Sequence, residues 1–329
     1  MMDMNWKITL KNKGISYMLM LISEIEIVKS VENLVDTATI TLPETVMNKV
    51  LNFEEKIGKG AEIKIELGYN DDLKTEFVGY VQDIIANDSN LKIICEDALF
   101  LFRVGVKDKE MKSKSMKDIA EYLVSQIDKT FKVSCNYGIG YEKFVIHQAT
   151  AYDILKKLQE ETKANIYFDT ENKVLHIHPA YLEKGGDAVY SMQKNIEKSS
   201  LEFKRALDKK VEVTIEKIDL KGKVTSYTTG TSGGDKITMK VGSVKEINLK
   251  DIAETALKQN KYDGFYGSID TWLVPYVQPT YSAHYSDNDY PGKEGIYYVV
   301  STTTTFSDAG GKRVIKFGIK LADGHTSGN

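Results

Sequence analysis

Several groups of residues have types and spacings that could do chemistry. The run 230–234, GTSGG, matches G-x-S-x-G, the pattern that places a nucleophilic serine on a tight turn between a strand and a helix. Here residues 224–228 alternate as a strand before it and residues 236–241 do so after it, so the required helix is missing and a hairpin loop is expected. His176 and His178 are two residues apart on one strand, which projects both imidazoles to the same side. A protein zinc site needs at least a third protein ligand, and no spacing nearby supplies one. With Leu175 and Ile177 on the other phase, the two histidines are expected to line a solvated face. The run 287–292, DNDYPG, matches the start of a calcium loop, but Pro291 fills a ligand position and Tyr298 stands where a bidentate glutamate belongs. A turn is the expectation. Gly138 and Gly140 lack the third glycine of a dinucleotide fingerprint and no convincing helix follows them. Phe265, Tyr266, Trp272, Tyr276, Tyr281, Tyr285 and Tyr290 could stack on sugar rings, but aromatics equally build cores and interface centres. No carboxylate pair stands out for glycoside hydrolysis. The sequence therefore offers no catalytic residue, no cofactor site and no metal site.

The bulk properties narrow the partners. With 329 residues, 42% hydrophobic and 28% charged, the chain is long enough for two or more globular cores. A net charge of −3 argues against sequence-specific nucleic-acid contact or an anionic membrane as the main partner. The longest apolar run, 17–22, is too short to span a bilayer, so membrane insertion is not expected. Asp3, Asn5 and Lys7 interrupt any early apolar stretch, which argues against a signal peptide. Two cysteines, Cys95 and Cys135, make no disulfide framework. Together these features predict a protein made in a reducing bacterial cytoplasm.

The elements that must position these residues are mostly strands. Residues 6–10, 25–28, 37–42 and 63–67 alternate apolar and polar, and Pro43 stops the third run because proline cannot donate to a ladder. Residues 44–53 carry a short helical pattern. The run 75–102, TEFVGYVQDIIANDSNLKIICEDALFLF, reads as strand, polar turn, strand and a helical turn that leaves the sheet. Ser115 with Asp118, and Thr150 with Asp153, form capping boxes with aspartate as the fourth residue, each opening an amphipathic helix that leads into a short strand. Asn248 and Asp251 have the same spacing before a third helix. Strands resume after residue 200, and 324–329 reads as a frayed tail. The pattern predicts a mainly β fold with an α+β insertion.

The hairpin within 75–102 resembles the signature of the late-control D family of contractile-tail baseplate hub proteins, which includes the hubs of T-even phages and the N-terminal part of type VI secretion spike proteins. The matching residues are Phe77, Gly79 and Val81 on the first strand, then Asp97, Leu99 and Leu101. The run 261–279, KYDGFYGSIDTWLVPYVQP, is similar to the family's helix, G-x-(I/F) and P-x-V-x-P sequence, and residues 297–320 resemble its final hairpin. Thr280 stands where the family often has glycine. The resemblance implies two related β-barrel, tube-type domains flanking a smaller α+β region: 1–102, 103–199 and 200–329. It implies a structural hub subunit of a phage, prophage or related contractile injection particle, with no enzymatic activity. Three copies would form a homotrimeric ring that adapts a hexameric tail tube protein to a trimeric spike protein. Trp272, Pro275, Tyr276, Pro279 and Tyr281 are the residues expected at a subunit or partner interface. The alternative reading is a tail component that binds cell-surface glycan or cleaves peptidoglycan.

Overall fold

The computed structural model describes residues 3–43, 57–86, 90–182, 184–219 and 222–323. The helical pattern at 44–53, part of the turn at 87–90 and the tail at 324–329 fall wholly or partly outside them. The chain forms two compact units: one from Met1–Phe100, Gly185–Glu202 and Tyr266–Asn329, the other from Leu101–Lys184 and Phe203–Phe265. This differs from three consecutive stretches. The strands after residue 266 group with those before residue 100, and the segment 203–265 groups with 101–184.

The first unit begins with seven strands: β1 (Met4–Asn12), β2 (Ile15–Leu19), β3 (Glu24–Ser30), β4 (Thr37–Pro43), β5 (Glu62–Tyr69), β6 (Asp72–Ala86) and β7 (Asn90–Glu96). They run antiparallel in the order β3-β4-β7-β6-β5-β1-β2. The C-terminal strand Gly295–Ser307 pairs with β3 from Ser301↔Ser30 to Ser307↔Glu24, and Gly310–Asp323 pairs with Gly295–Ser307 on its other side. This pairing joins the two ends of the chain in one sheet. Period-two alternation puts one set of side chains in a common core: Ile8, Leu10, Ile25, Ile27, Ile40, Ile63, Ile65, Phe77, Val81, Ile93 and Cys95 are buried together with Leu273 and Phe306. Each such side chain contributes roughly 1.5–3 kcal/mol by leaving water. A second aromatic group, Tyr190, Tyr285, Tyr297 and Phe317, packs edge-on and stacked at centroid distances of 6.0–6.2 Å.

One of the breaks in the alternation turns a charged side chain inward. In the β5–β6 ladder Ile65 faces Phe77 but Glu66 faces Thr75. Glu76 is therefore an extra residue on β6, a bulge that turns its side chain inward beside Phe77. Both are buried, Glu76 at 4% exposure.

Among its described residues the second unit holds three α-helices: α1 (Met116–Ile127), α2 (Ala151–Thr162) and α3 (Leu249–Asn260). Both predicted capping boxes form: Ser115 Oγ accepts the Asp118 N–H at 3.1 Å, and Thr150 Oγ1 accepts the Asp153 N–H at 3.1 Å. Each aspartate in return accepts the N–H of its cap residue. Met116, Ile119, Ala120 and Leu123 of α1, and Ile154, Leu155 and Leu158 of α2, form the buried faces. The third predicted cap does not form, because Asn248 makes no side-chain capping bond. Its amide instead accepts the Gly140 N–H at 2.9 Å and donates to the Gly138 carbonyl at 3.2 Å, so it ties down the glycine pair.

Candidate interface loop

The first unit spends its most unusual buried chemistry on one loop. Residues 272–281 connect the strands Ser268–Thr271 and Ser282–Ser286. Side chains alternate along the first part: Leu273 and Val277 plug into the core at 3% and 1% exposure, while Trp272 and Val274 face out at 46% and 41%. Pro275, Tyr276, Pro279 and Tyr281 are half-buried. The Val274–Pro275 peptide is cis.

Arg313, on the strand Gly310–Asp323, holds this loop from inside the fold, and its side chain is fully buried. Its Nη1 donates to the Leu273 carbonyl at 2.7 Å and to the Pro275 carbonyl at 3.2 Å, and Nε donates to Thr304 Oγ1 at 3.2 Å. Nη2 pairs with the Glu76 carboxylate. The β6 bulge thus supplies the counter-charge a buried guanidinium requires. The Tyr276 ring lies 5.5 Å from the guanidinium carbon, and its hydroxyl donates to the Thr75 carbonyl at 2.7 Å. Gln278 donates to that hydroxyl and accepts from Lys29 Nζ at 3.2 Å. Tyr276 and Tyr281 meet edge to face with centroids 6.4 Å apart. Thr280 sits at φ +77°, the left-handed region that glycine occupies without strain. Its backbone is held by Val299 and Gly185 at 2.9 and 3.1 Å.

Of the five residues expected at an interface, the structure brings all onto this one loop, with Trp272 the most exposed. Sequence reasoning missed Arg313 and Glu76. An arginine beside Lys312 and a glutamate beside Lys74 and Thr75 read as solvent-facing residues of alternating strands, and nothing local marks them as buried.

The other chemical candidates resolve into structure. Gly230–Gly234 links the strands Val224–Gly230 and Asp235–Val241, with no helix following. These strands are not a hairpin, because they flank Val211–Ile218 on opposite sides. His176 and His178 are not on a wet face. His178 is 3% exposed with Nδ1 2.6 Å from Asn136 Oδ1, His176 Nδ1 lies 3.3 Å from His178 Nε2, and the Tyr167 ring stacks on His176 at 4.9 Å. Asp287 is buried and accepts from Tyr285 and Gln193 side chains and the Asp289 N–H. No group of three or more potential metal ligands occurs among the described residues. Phe265, Tyr285, Tyr297 and Tyr298 are core rather than surface, and no described helix is long and apolar enough to cross a membrane.

No protein-family model matches the sequence, and no curated protein matches it. Solved structures do match, along nearly the whole chain. The tail protein of Neisseria meningitidis MC58 superposes with a TM-score of 0.67 at 12% identity, covering 95% of this chain and 96% of that one. The 43 kDa tail protein of prophage MuSo2 from Shewanella oneidensis gives 0.64 at 15% identity, covering 96% and 97%. The E. coli c3393 protein is described as a type VI secretion component with structural similarity to the T4 tail proteins gp27 and gp5. It gives 0.59 at 10% identity, covering 97% of this chain and 77% of that one. This chain therefore has the mainly β fold of these tail proteins.

Proposed function

We propose that this chain is a structural hub subunit of a contractile phage tail or a related injection device, with no enzymatic role. Three copies form a ring that joins a hexameric tail tube to a trimeric spike. The observation that carries this reading is the match over 95–97% of the chain to two prophage or tail proteins and a type VI secretion component. Trp272, Pro275, Tyr276, Pro279 and Tyr281 form a contact of this ring, with another copy or with a tail partner. Trp272 and Val274 are presented on a loop already fixed by Arg313, so binding there costs little ordering entropy.

Light scattering and negative-stain images of the purified chain, alone and with candidate tube and spike proteins, test the proposal. A three-copy ring is expected, and Trp272→Ala should reduce its yield while leaving the fold intact. A chain that stays monomeric at high concentration and enters no ring with either partner refutes it. Saturable sugar binding that Trp272→Ala abolishes would move the assignment to a glycan-binding tail component.

A further inference from the structure

The interface loop makes no use of His176 and His178. They lie in the second unit on the strand Val174–His178, the middle one of a three-stranded sheet between Asn165–Asp169 and Lys132–Cys135. Their two-residue spacing puts both imidazoles on one side of the strand. The register sets His176 between Tyr167 and Ser134, and His178 beside Asn165. The two rings meet there, with His176 Nδ1 3.3 Å from His178 Nε2. Two contacts fix this arrangement. Asn136 Oδ1 lies 2.6 Å from His178 Nδ1 and can only accept, so a neutral His178 carries its hydrogen on Nδ1 and its lone pair on Nε2. The Tyr167 ring stacks on His176 with centroids 4.9 Å apart and planes 3° apart, which sets the plane of that imidazole. His178 is 3% exposed and His176 is half-buried, so the pair opens to solvent on the His176 side.

We propose that His176 Nδ1 and His178 Nε2 chelate a divalent transition ion of the zinc, nickel and copper group. Two nitrogens each about 2.0–2.1 Å from one ion, at a tetrahedral angle, stand ~3.3–3.4 Å apart, which is the separation of this pair. Ligating imidazoles almost always give their other ring N–H to an oxygen acceptor, and Asn136 takes that part for His178. Without metal, His176 Nδ1–H donates to His178 Nε2. On binding, His176 holds its proton on Nε2 instead, so both lone pairs face the ion and a neutral pair releases no proton. Two protein ligands leave the remaining positions to solvent, so this is a chelate of modest affinity and not the closed site of a structural zinc. Imidazole suits all three ions, with copper bound most tightly.

Calorimetric titration of the untagged full chain with zinc, nickel and copper salts at neutral pH tests the chelate. The wild type should bind about one equivalent of each ion at this pair, copper most tightly. The double variant His176→Gln with His178→Gln keeps the other histidines of the chain and sets the background, and it should bind about tenfold or more weakly. Asn136→Ala keeps both ligands and should weaken binding about tenfold through the lost orientation of His178. Nitrogen-15 spectra of the wild-type imidazoles during zinc titration need no variant. His176 Nδ1 and His178 Nε2 should shift together while His178 Nδ1 stays protonated. Equal affinity of the wild type and the double variant, which means an adventitious ion only, overturns the proposal, as do zinc shifts confined to other histidines.

Discussion

Replacing Arg313 by methionine removes the internal anchor of the 272–281 loop while preserving much of the side chain's volume. Three losses follow from the geometry. The Glu76 carboxylate, 4% exposed, loses its only described cationic partner, and breaking one side of a buried pair costs about 3–5 kcal/mol. The Leu273 and Pro275 carbonyls each lose a donor, at about 1 kcal/mol or more where water cannot reach them. Thr304 loses a weaker bond at 3.2 Å. Methionine packing returns part of this, so a net loss of about 5 kcal/mol is expected, a large fraction of the ~5–15 kcal/mol that holds a domain folded. Both tryptophans of the chain, Trp6 and Trp272, lie in the first unit. Tryptophan fluorescence during urea unfolding therefore reports that unit without interference from the other. The double variant Glu76→Leu with Arg313→Met removes the stranded charge together with its partner and should be more stable than Arg313→Met alone, since an apolar pair of similar volume often equals or exceeds a buried ion pair. An Arg313→Met loss below about 1.5 kcal/mol, or a double variant worse than the sum of the two single ones, would refute the view that this ion pair anchors the loop.

Three further predictions address other parts of the fold. Gly79→Ala would place a Cβ 2.2 Å from the Glu96 carbonyl oxygen and 2.7 Å from the Phe77 ring. The β6–β7 ladder must then shift, and a loss of about 3 kcal/mol, at the upper end of ordinary overpacking, should appear in the same unfolding assay. Ser115→Ala and Thr150→Ala should each cost about 1 kcal/mol, read by circular dichroism during thermal unfolding. The bonds to these caps hold the Asp118 and Asp153 carboxyls below their ordinary range, so the stabilisation is full above about pH 4 and is lost as pH falls through the lowered values. Thr280→Gly removes a β-branched residue from φ +77°. Relief of about 1–2 kcal/mol of strain should offset the lost packing and the extra chain entropy, leaving stability within about 1 kcal/mol of wild type where a buried threonine would ordinarily be missed.

Much of the fold was legible because its determinants are local. Strand phase followed from alternation, as with Ile63, Ile65 and Leu67, all buried in β5. The helix starts followed from Ser115, Asp118, Thr150 and Asp153, which need only each other. What escaped the sequence depends on pairing across long separations. The β3 pairing with Gly295–Ser307 joins residues more than 270 positions apart, so nothing local announces that the two ends share one sheet. Glu76 is turned inward by a one-residue slip against β5, and a bulge leaves no compositional mark. Asn248 has the spacing of a cap, yet its amide is claimed by Gly138 and Gly140 more than 100 positions upstream. The histidines were misplaced for a similar reason: Asn136, on another segment, covers His178.

The same long-range chemistry bears on the contact surface proposed for this loop. A buried arginine and glutamate are not the most stabilising way to fill a core, since apolar replacements frequently do as well. What the pair adds is direction. Arg313 fixes the Leu273 and Pro275 carbonyls from below, while Tyr276 is pinned at both its ring and its hydroxyl. These polar groups are bonded within the fold. The groups that remain available are the Trp272 indole and the Val274 side chain, held outward by Leu273 and Val277 buried on the opposite phase. Aromatic and aliphatic anchors on a pre-set backbone are what an interface centre requires. A site that instead depended on loop mobility would gain nothing from an internal guanidinium clamp.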